Sequence, residues 1–325
     1  MPTEEKLAMK DLLRIADLTP EDLRLLLLLS SAVAEDPHQR PGLLGGDAVV
    51  CYFAKPSTRT RLSFGSAITH LGGVPEIVNG NELQLGRGET IEDTAGVISR
   101  YARAFVIRTY ADDDVRRFAQ AATIPVINAL TDGHHPCQAL ADLLTLRQHF
   151  GVLSGLRLAY LGDGNNVAHS LMEACALAGI DVVVATPRGF EPDLGVVTTA
   201  GAIALENGST VELSHDPMEA VTDADAVYTD VWVSMGDDED DRSVRSEALA
   251  PFQVNEAIMA EAASDAVFMH CLPAHRGQEV VTGVIDGPQS VVLDEAENRM
   301  HTAQALLVAL LEGRLLGAQG APVVG

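Results

Sequence analysis

Apolar residues gather in short runs separated by polar, helically periodic stretches. In the first half the runs fall at 48–53, 74–78, 104–108 and 124–128. In the second half they fall at 156–161, 181–185, 211–213, 226–230, 266–269 and 290–293. Each has the length of a strand, and most are too uniformly apolar for a sheet with one wet face. Strands that alternate with helices predict parallel sheets covered on both faces. The expected fold is α/β, with two doubly wound parallel-sheet domains separated by a glycine-flanked break at 151–155. The alanine- and leucine-rich stretch 302–316 predicts a closing helix.

Local signals place several helix ends. Thr19 precedes Pro20-Glu21-Asp22, which reads as a cap followed by a first turn. Stretch 62–71 reads as a helix stopped by Gly72-Gly73. Pro136 suits a first helical position, and Gly151 suits the end of that helix.

Three polar segments follow apolar runs and open helices or loops. They are Lys55-Pro56-Ser57-Thr58-Arg59-Thr60-Arg61, Asp132-Gly133-His134-His135-Pro136-Cys137-Gln138, and Met269-His270-Cys271-Leu272-Pro273-Ala274-His275. Open α/β sheets bind ligands at the carboxyl ends of their strands, where these segments fall. The first also gathers free backbone N–H groups, the positive end of a helix dipole, hydroxyls and an arginine fork, all suited to phosphate. Taken alone, Ser57-Thr58 reads equally well as an ordinary cap and Arg59 as a solvated side chain.

Composition narrows the function. The chain has 325 residues, 47% of them hydrophobic, enough for two cores. A formal net charge of −24 argues against a nucleic-acid partner and against anionic membranes. An anionic substrate then depends on a local arginine cluster. Cys51, Cys137, Cys175 and Cys271 are far apart, with no zinc-type or disulfide spacing, and Cys51 and Cys175 read as buried thiols. No leader-type or membrane-spanning pattern appears, so a cytoplasmic setting is the expectation.

Two cofactor readings fail on spacing. Gly162-Asp163-Gly164 follows a strand, but Val167 holds the place of the third glycine and no acid closes the next strand, which argues against a nicotinamide-linked oxidoreductase. His134, His135, His270, Cys271 and His275 lack metal-ligand spacing, so no metal is expected, and His134 and His275 read as structural or surface residues. Asp230 ends an apolar run and reads either as a turn acid or as a carboxylate for an ammonium group.

The segments Ser57-Thr58-Arg59-Thr60-Arg61, Phe105-Val106-Ile107-Arg108-Thr109, His135-Pro136-Cys137-Gln138, Asp163-Gly164-Asn165-Asn166, Asp230-Val231-Trp232-Val233-Ser234-Met235-Gly236, His270-Cys271-Leu272-Pro273 and Glu297-Asn298-Arg299 resemble the ornithine branch of the carbamoyltransferase family, in the family's order. The resemblance implies transfer of a carbamoyl group from carbamoyl phosphate to L-ornithine, with no cofactor. It implies that 1–150 bind carbamoyl phosphate, that 151–299 bind ornithine, and that 300–325 return to the first domain. Ser57, Thr58, Arg59 and Thr60 would hold the phosphate, with Gln84 and Arg299 assisting. Arg108, His135 and Thr60 would polarise the carbonyl, and Gln138 would orient the amide. Asn166, Asp230, Ser234 and Met235 would hold the amino-acid end of ornithine. Cys271 and Leu272 would border the carbamoyl group and the reacting amine. The resemblance also implies a homotrimer or an assembly of trimers. Putrescine or aspartate are the rival acceptors; Asp230 has the wrong sign for a second carboxylate, and Ser234-Met235-Gly236 disfavours putrescine. Where some relatives place a lysine that reaches a neighbouring site, this chain has Gly88 beside Arg87. The acidic run 237–241 reads as a solvated loop that could serve as a lid.

Overall fold

A computed structural model describes residues 9–80, 82–85, 88–232 and 239–312, without the side chains of 239–242. It divides into two compact units. One runs to Leu140 and resumes at Glu297; the other is the continuous stretch Ala141–Ala296.

The first unit holds strands β1 (Ala48–Phe53), β2 (Val74–Asn79), β3 (Ala102–Arg108) and β4 (Val126–Leu130). They form a parallel sheet in the order β2-β1-β3-β4. The second holds β5 (Arg157–Leu161), β6 (Asp181–Ala185), β7 (Val211–Ser214), β8 (Ala226–Thr229) and β9 (Val267–Met269), parallel in the order β7-β6-β5-β8-β9. This is the expected α/β fold with two parallel sheets. Chain direction across the first sheet reverses between β1 and β3, and across the second between β5 and β8. Crevices form at such reversals because neighbouring connections leave in opposite directions. Phe53 pairs with Arg108 at one switch point and Leu161 with Thr229 at the other.

Each sheet has its own core. In the first unit Phe105 meets Phe118 edge-on at 5.1 Å, among Ile98, Ile107, Val115 and Val126. In the second, Leu161, Val183, Val227, Phe268 and Val280 form the core, with Leu272 packed against it. Cys51 and Cys175 are fully buried, as expected, and burial pushes the Cys51 thiol up to about 12.

The cap at Thr19 is a reciprocal capping box with Asp22, and Pro20 opens that helix. The helix at the first polar segment is Arg59–His70, so it starts three residues earlier than the apolar pattern predicts. Pro136 opens the helix Pro136–Phe150, and Gly151 follows it at φ 80°.

Run 290–293 is not a strand. Ser290 makes only an isolated bridge to Phe268, and the helix Val292–Glu312 begins two residues later. The helix therefore starts ten residues before the expected closing helix. The reason is its buried stripe. Glu295, Asn298, Arg299 and Thr302 all lie on the inner face at helical spacing, while Leu293 is exposed. A polar inner face has no apolar period to detect. Gln304 of this helix donates to the Pro37 carbonyl at 2.6 Å, and Glu312 pairs with Arg40 at 2.6 Å, which fasten its later turns to the first unit.

Candidate active site

The first switch point gathers cations around an imidazole. Arg59 opens its helix immediately after β1, and Arg108 ends β3. His135 precedes Pro136, and Arg299 comes from the closing helix. The preceding residue Thr58 occupies the cap position in helical conformation, and its hydroxyl makes no capping bond. That hydroxyl is therefore not spent on the helix end. Thr60, His135, Gln138 and Arg299 are all buried. Arg299 donates from Nη1 to Gln138 Oε1 and from Nη2 to Thr60 Oγ1 at 3.2 Å, and its buried Nε has no hydrogen-bond partner among the described residues. A buried guanidinium without a carboxylate is costly unless an anion completes it. Burial, followed by the charges of Arg299, Arg108 and Arg59, holds His135 well below the usual histidine range. His135 is thus a neutral imidazole inside a cationic ring, able to donate one N–H without adding charge.

Other predicted residues of this unit are placed less centrally. Ser57 is half-buried and Thr58 exposed beside the cradle helix. Gln84 is exposed on the connection after β2, and Gly86 and Arg87 lie outside the described residues. Lys55 pairs with Asp132 and stands 4.4 Å from the Tyr110 ring centroid. His134 is structural, as expected. Its Nδ1 lies 2.9 Å from Asp112.

The second switch point is acidic. Asp230 follows β8 and is buried. Asn165 Nδ2 donates to its Oδ2 at 2.8 Å, and the Cys271 thiol donates to its Oδ1 at 3.0 Å. Asn165 Oδ1 meanwhile caps the helix Asn166–Ala178, accepting from Val167 and Ala168. The loop is tight: a Cβ on Gly164 would sit 2.3 Å from the Pro192 nitrogen, so no larger residue fits. Burial, then the Asp230 charge, pushes the Cys271 thiol well above its usual range, which keeps it protonated. Asn166 is half-buried at the helix start. Ser234, Met235 and positions 237 and 238 of the acidic run lie outside the described residues. The helix Glu239–Leu249 follows, and its Arg245 pairs with Asp163 and donates to the Trp232 carbonyl at 3.1 Å.

Asp230, His270 and Cys271 place one ligand-type atom each within 4.8 Å of one another. These donors are already committed. Cys271 donates to Asp230, His270 Nδ1 accepts from the Leu272 N–H at 2.8 Å, and His270 Nε2 faces Glu279 Oε1 at 3.3 Å.

A buried acidic layer lies beneath this group. Glu295 accepts the His270 backbone N–H at 3.0 Å and the Tyr228 hydroxyl at 3.2 Å. Burial, and then the nearby Asp142, push the Glu295 carboxyl well above the usual range. The sequence reading misses Asn165, His270 as a scaffold, Glu279, and this Asp142–Tyr228–Glu295 group. One signal was available: Asp142 interrupts the run Ala139-Leu140-Ala141 and Leu143-Leu144, where a charge needs a buried partner.

The side chains at the switch points define the class: an α/β protein of two parallel sheets, with arginines and an imidazole at one switch point and a buried carboxylate at the other. Known proteins match both units of the chain. The family model for the carbamoyl-P binding domain of aspartate/ornithine carbamoyltransferases matches residues 10–148, and the one for the Asp/Orn binding domain matches 154–310. The ornithine carbamoyltransferase of Acidothermus cellulolyticus is 50% identical over 306 residues, 94% of this chain and 97% of that protein. That of Pyrococcus horikoshii is 51% identical over 309 residues, 94% of this chain and 96% of that protein. Among solved structures, the ornithine carbamoyltransferase of Pyrococcus furiosus superposes with a TM-score of 0.91 at 49% identity, covering 95% of this chain and 99% of that one. The chain belongs to the aspartate/ornithine carbamoyltransferase family.

Proposed function

We propose that this chain is an ornithine carbamoyltransferase, converting carbamoyl phosphate and L-ornithine to L-citrulline and phosphate. The observation that carries the reading is the ring of Arg59, Arg108 and Arg299 around neutral His135, braced by Thr60 and Gln138. A dianionic acyl phosphate is a ligand such a ring fits. In this reading Ser57, Thr58, Arg59, Thr60 and Arg299 hold the phosphate, with Gln84 assisting. Arg108, His135 and Thr60 face the carbamoyl oxygen, where negative charge develops. Gln138 orients the amide, and Cys271 and Leu272 border the reacting carbon.

Asp230 and Asn166, with Ser234 and Met235, take the amino-acid end of ornithine. The uncharged side-chain amine attacks the carbamoyl carbon, the carbonyl oxygen gathers charge, the carbon–oxygen bond to phosphate breaks, and the leaving phosphate takes the amine's proton. Nothing in this sequence needs a covalent enzyme intermediate; rate comes from placement and from donors fixed at the developing oxyanion. The protonated Cys271 thiol suits a place beside a neutral amine, since a thiolate would favour the ammonium form. The reading includes a cytoplasmic homotrimer, or an assembly of trimers, with the residues before 150 and after 300 binding carbamoyl phosphate and 151–299 binding ornithine. No helix among the described residues is long and apolar enough to cross a membrane.

The test is a citrulline assay with ornithine, putrescine and aspartate offered in parallel, with sedimentation of the same sample. Carbamoylation of ornithine well above the other two is expected. Transfer only to putrescine or aspartate overturns the reading, and a monomer by sedimentation overturns the assembly.

A further inference from the structure

The Cys271-Leu272 turn is held in an unfavourable backbone conformation by a buried pair that the reaction does not touch. Leu272 has φ 54°, in the left-handed region, although it is neither glycine nor asparagine. For such a residue this conformation costs about 1–2 kcal/mol, so surrounding contacts must enforce it. The enforcing contact is a hydrogen bond from the Leu272 N–H to His270 Nδ1 at 2.8 Å. Nδ1 can accept only if the ring proton sits on Nε2. Nε2 faces Glu279 Oε1 at 3.3 Å, which receives that proton as a hydrogen bond.

His270 and Glu279 are both 0% exposed, so neither is there for solvation. Glu279 itself is fixed from three directions. Its carbonyl accepts from Val254 N–H at 2.9 Å, its neighbour Val280 accepts from Gly277 N–H at 2.8 Å, and its side chain also accepts the His275 N–H. On the other side, Glu295 takes the His270 backbone N–H. Each link is ordinary; their order is informative. Glu279 sets the tautomer of His270, the tautomer makes Nδ1 an acceptor, and that acceptor holds Leu272.

We propose that His270 and Glu279 are a positioning dyad, which holds Leu272 left-handed and so sets the Cys271-Leu272 backbone for the transfer reaction. The proposal rests on the ornithine carbamoyltransferase reading. Neither residue touches substrate; both act through the turn. A misplacement of reacting groups by about 1 Å lowers turnover on the order of 100-fold, which sets the scale of the effect.

The test compares two amides of like polarity. In His270→Asn the side-chain oxygen lies where Nδ1 was and can still accept from Leu272. In His270→Gln the amide lies near Nε2 and leaves that N–H unmet. Citrulline turnover at saturating substrates is expected to be at least about tenfold higher in the Asn variant than in the Gln variant, with carbamoyl phosphate affinity by calorimetry similar in both. A purely space-filling histidine would favour Gln, the larger side chain. Gln equal to or better than Asn overturns the proposal.

If neither variant folds, Glu279→Gln decides. It keeps the volume, but a neutral amide presents both donor and acceptor to Nε2 and no longer fixes the tautomer. Turnover about tenfold below wild type at an unchanged thermal midpoint supports the dyad, and unchanged turnover overturns it. Wild-type protein that makes no citrulline would instead remove the reading on which the dyad rests.

Discussion

Arg299 and Thr60 are 239 residues apart in the chain and joined by one hydrogen bond, Nη2 to Oγ1 at 3.2 Å. The same guanidinium grips Gln138 with its other terminal nitrogen. Three elements of the first unit are thereby locked at one planar group. Lysine has the charge but not the fork. Arg299→Lys is expected to weaken carbamoyl phosphate binding by about 1.5–3 kcal/mol, roughly 10- to 100-fold, since hydrogen bonds from a charged group are lost. Calorimetry against carbamoyl phosphate checks this; an unchanged affinity would remove Arg299 from the cradle.

Arg59→Ala tests the ring from its other side. Arg59 is one of the charges that depress His135. Removing it is expected to raise the His135 pKa toward 6.5 and to cut phosphate affinity by at least about tenfold. In the wild type the His135 ring stays neutral, with one N–H and one bare nitrogen, as pH falls through 6.5, because the folded value lies well below it. Nitrogen-detected NMR of the histidine side chains reads both states. A His135 that titrates normally in the wild type contradicts the cationic ring.

Cys271 is expected to be a poor nucleophile toward alkylating agents, since only the thiolate reacts and burial with Asp230 disfavours it. Iodoacetamide at about pH 8.5, where a free thiol is half ionised, should modify it far more slowly than a model thiol. Asp230→Asn removes the adjacent negative charge and should speed the reaction. Equal rates in the two proteins would mean that the Cys271–Asp230 contact has no electrostatic weight.

Glu295 gives the stability of the fold a pH dependence. Its folded pKa is raised above the unfolded value of 4.5, so folding takes up a proton between the two. The corresponding stabilisation is complete below 4.5 and is lost as pH rises through the folded value. Glu295→Gln cannot ionise. Relative to this variant, the wild type is expected to lose thermal midpoint as pH rises above 4.5 toward the raised folded value. Parallel curves would show that Glu295 ionises as freely folded as unfolded.

The fold was legible where local chemistry and the core agree. The run 48–53 is β1 to the residue, because a strand buried on both faces is a continuous apolar run. Thr19-Pro20 and Pro136 state their helix starts directly. The error at 290–293 arose where the two levels part: the inner face of the last helix carries Glu295, Asn298, Arg299 and Thr302 because it serves the site rather than the core. The motif residues Arg59, Arg108, His135, Gln138 and Asp230 were legible one by one. Partnerships were not, because they join positions far apart: Asn165 with Asp230 across 65 residues and His270 with Glu295 across 25. No period or spacing marks a contact between segments that meet only after folding.

The first unit is assembled from two separated stretches, the second from one. Synthesis from the amino terminus supplies Arg59, Arg108, His135 and Gln138 early, then the whole of the second unit, and only then Arg299. On the ribosome, the second unit has all its residues before the first does. The cluster of Arg299, Thr60 and Gln138 therefore cannot close on a nascent chain that stops short of the last helix. Any product of premature termination in that helix before Arg299 would carry all the strands of both sheets yet leave the polar groups of Thr60 and Gln138 without the guanidinium that bonds them.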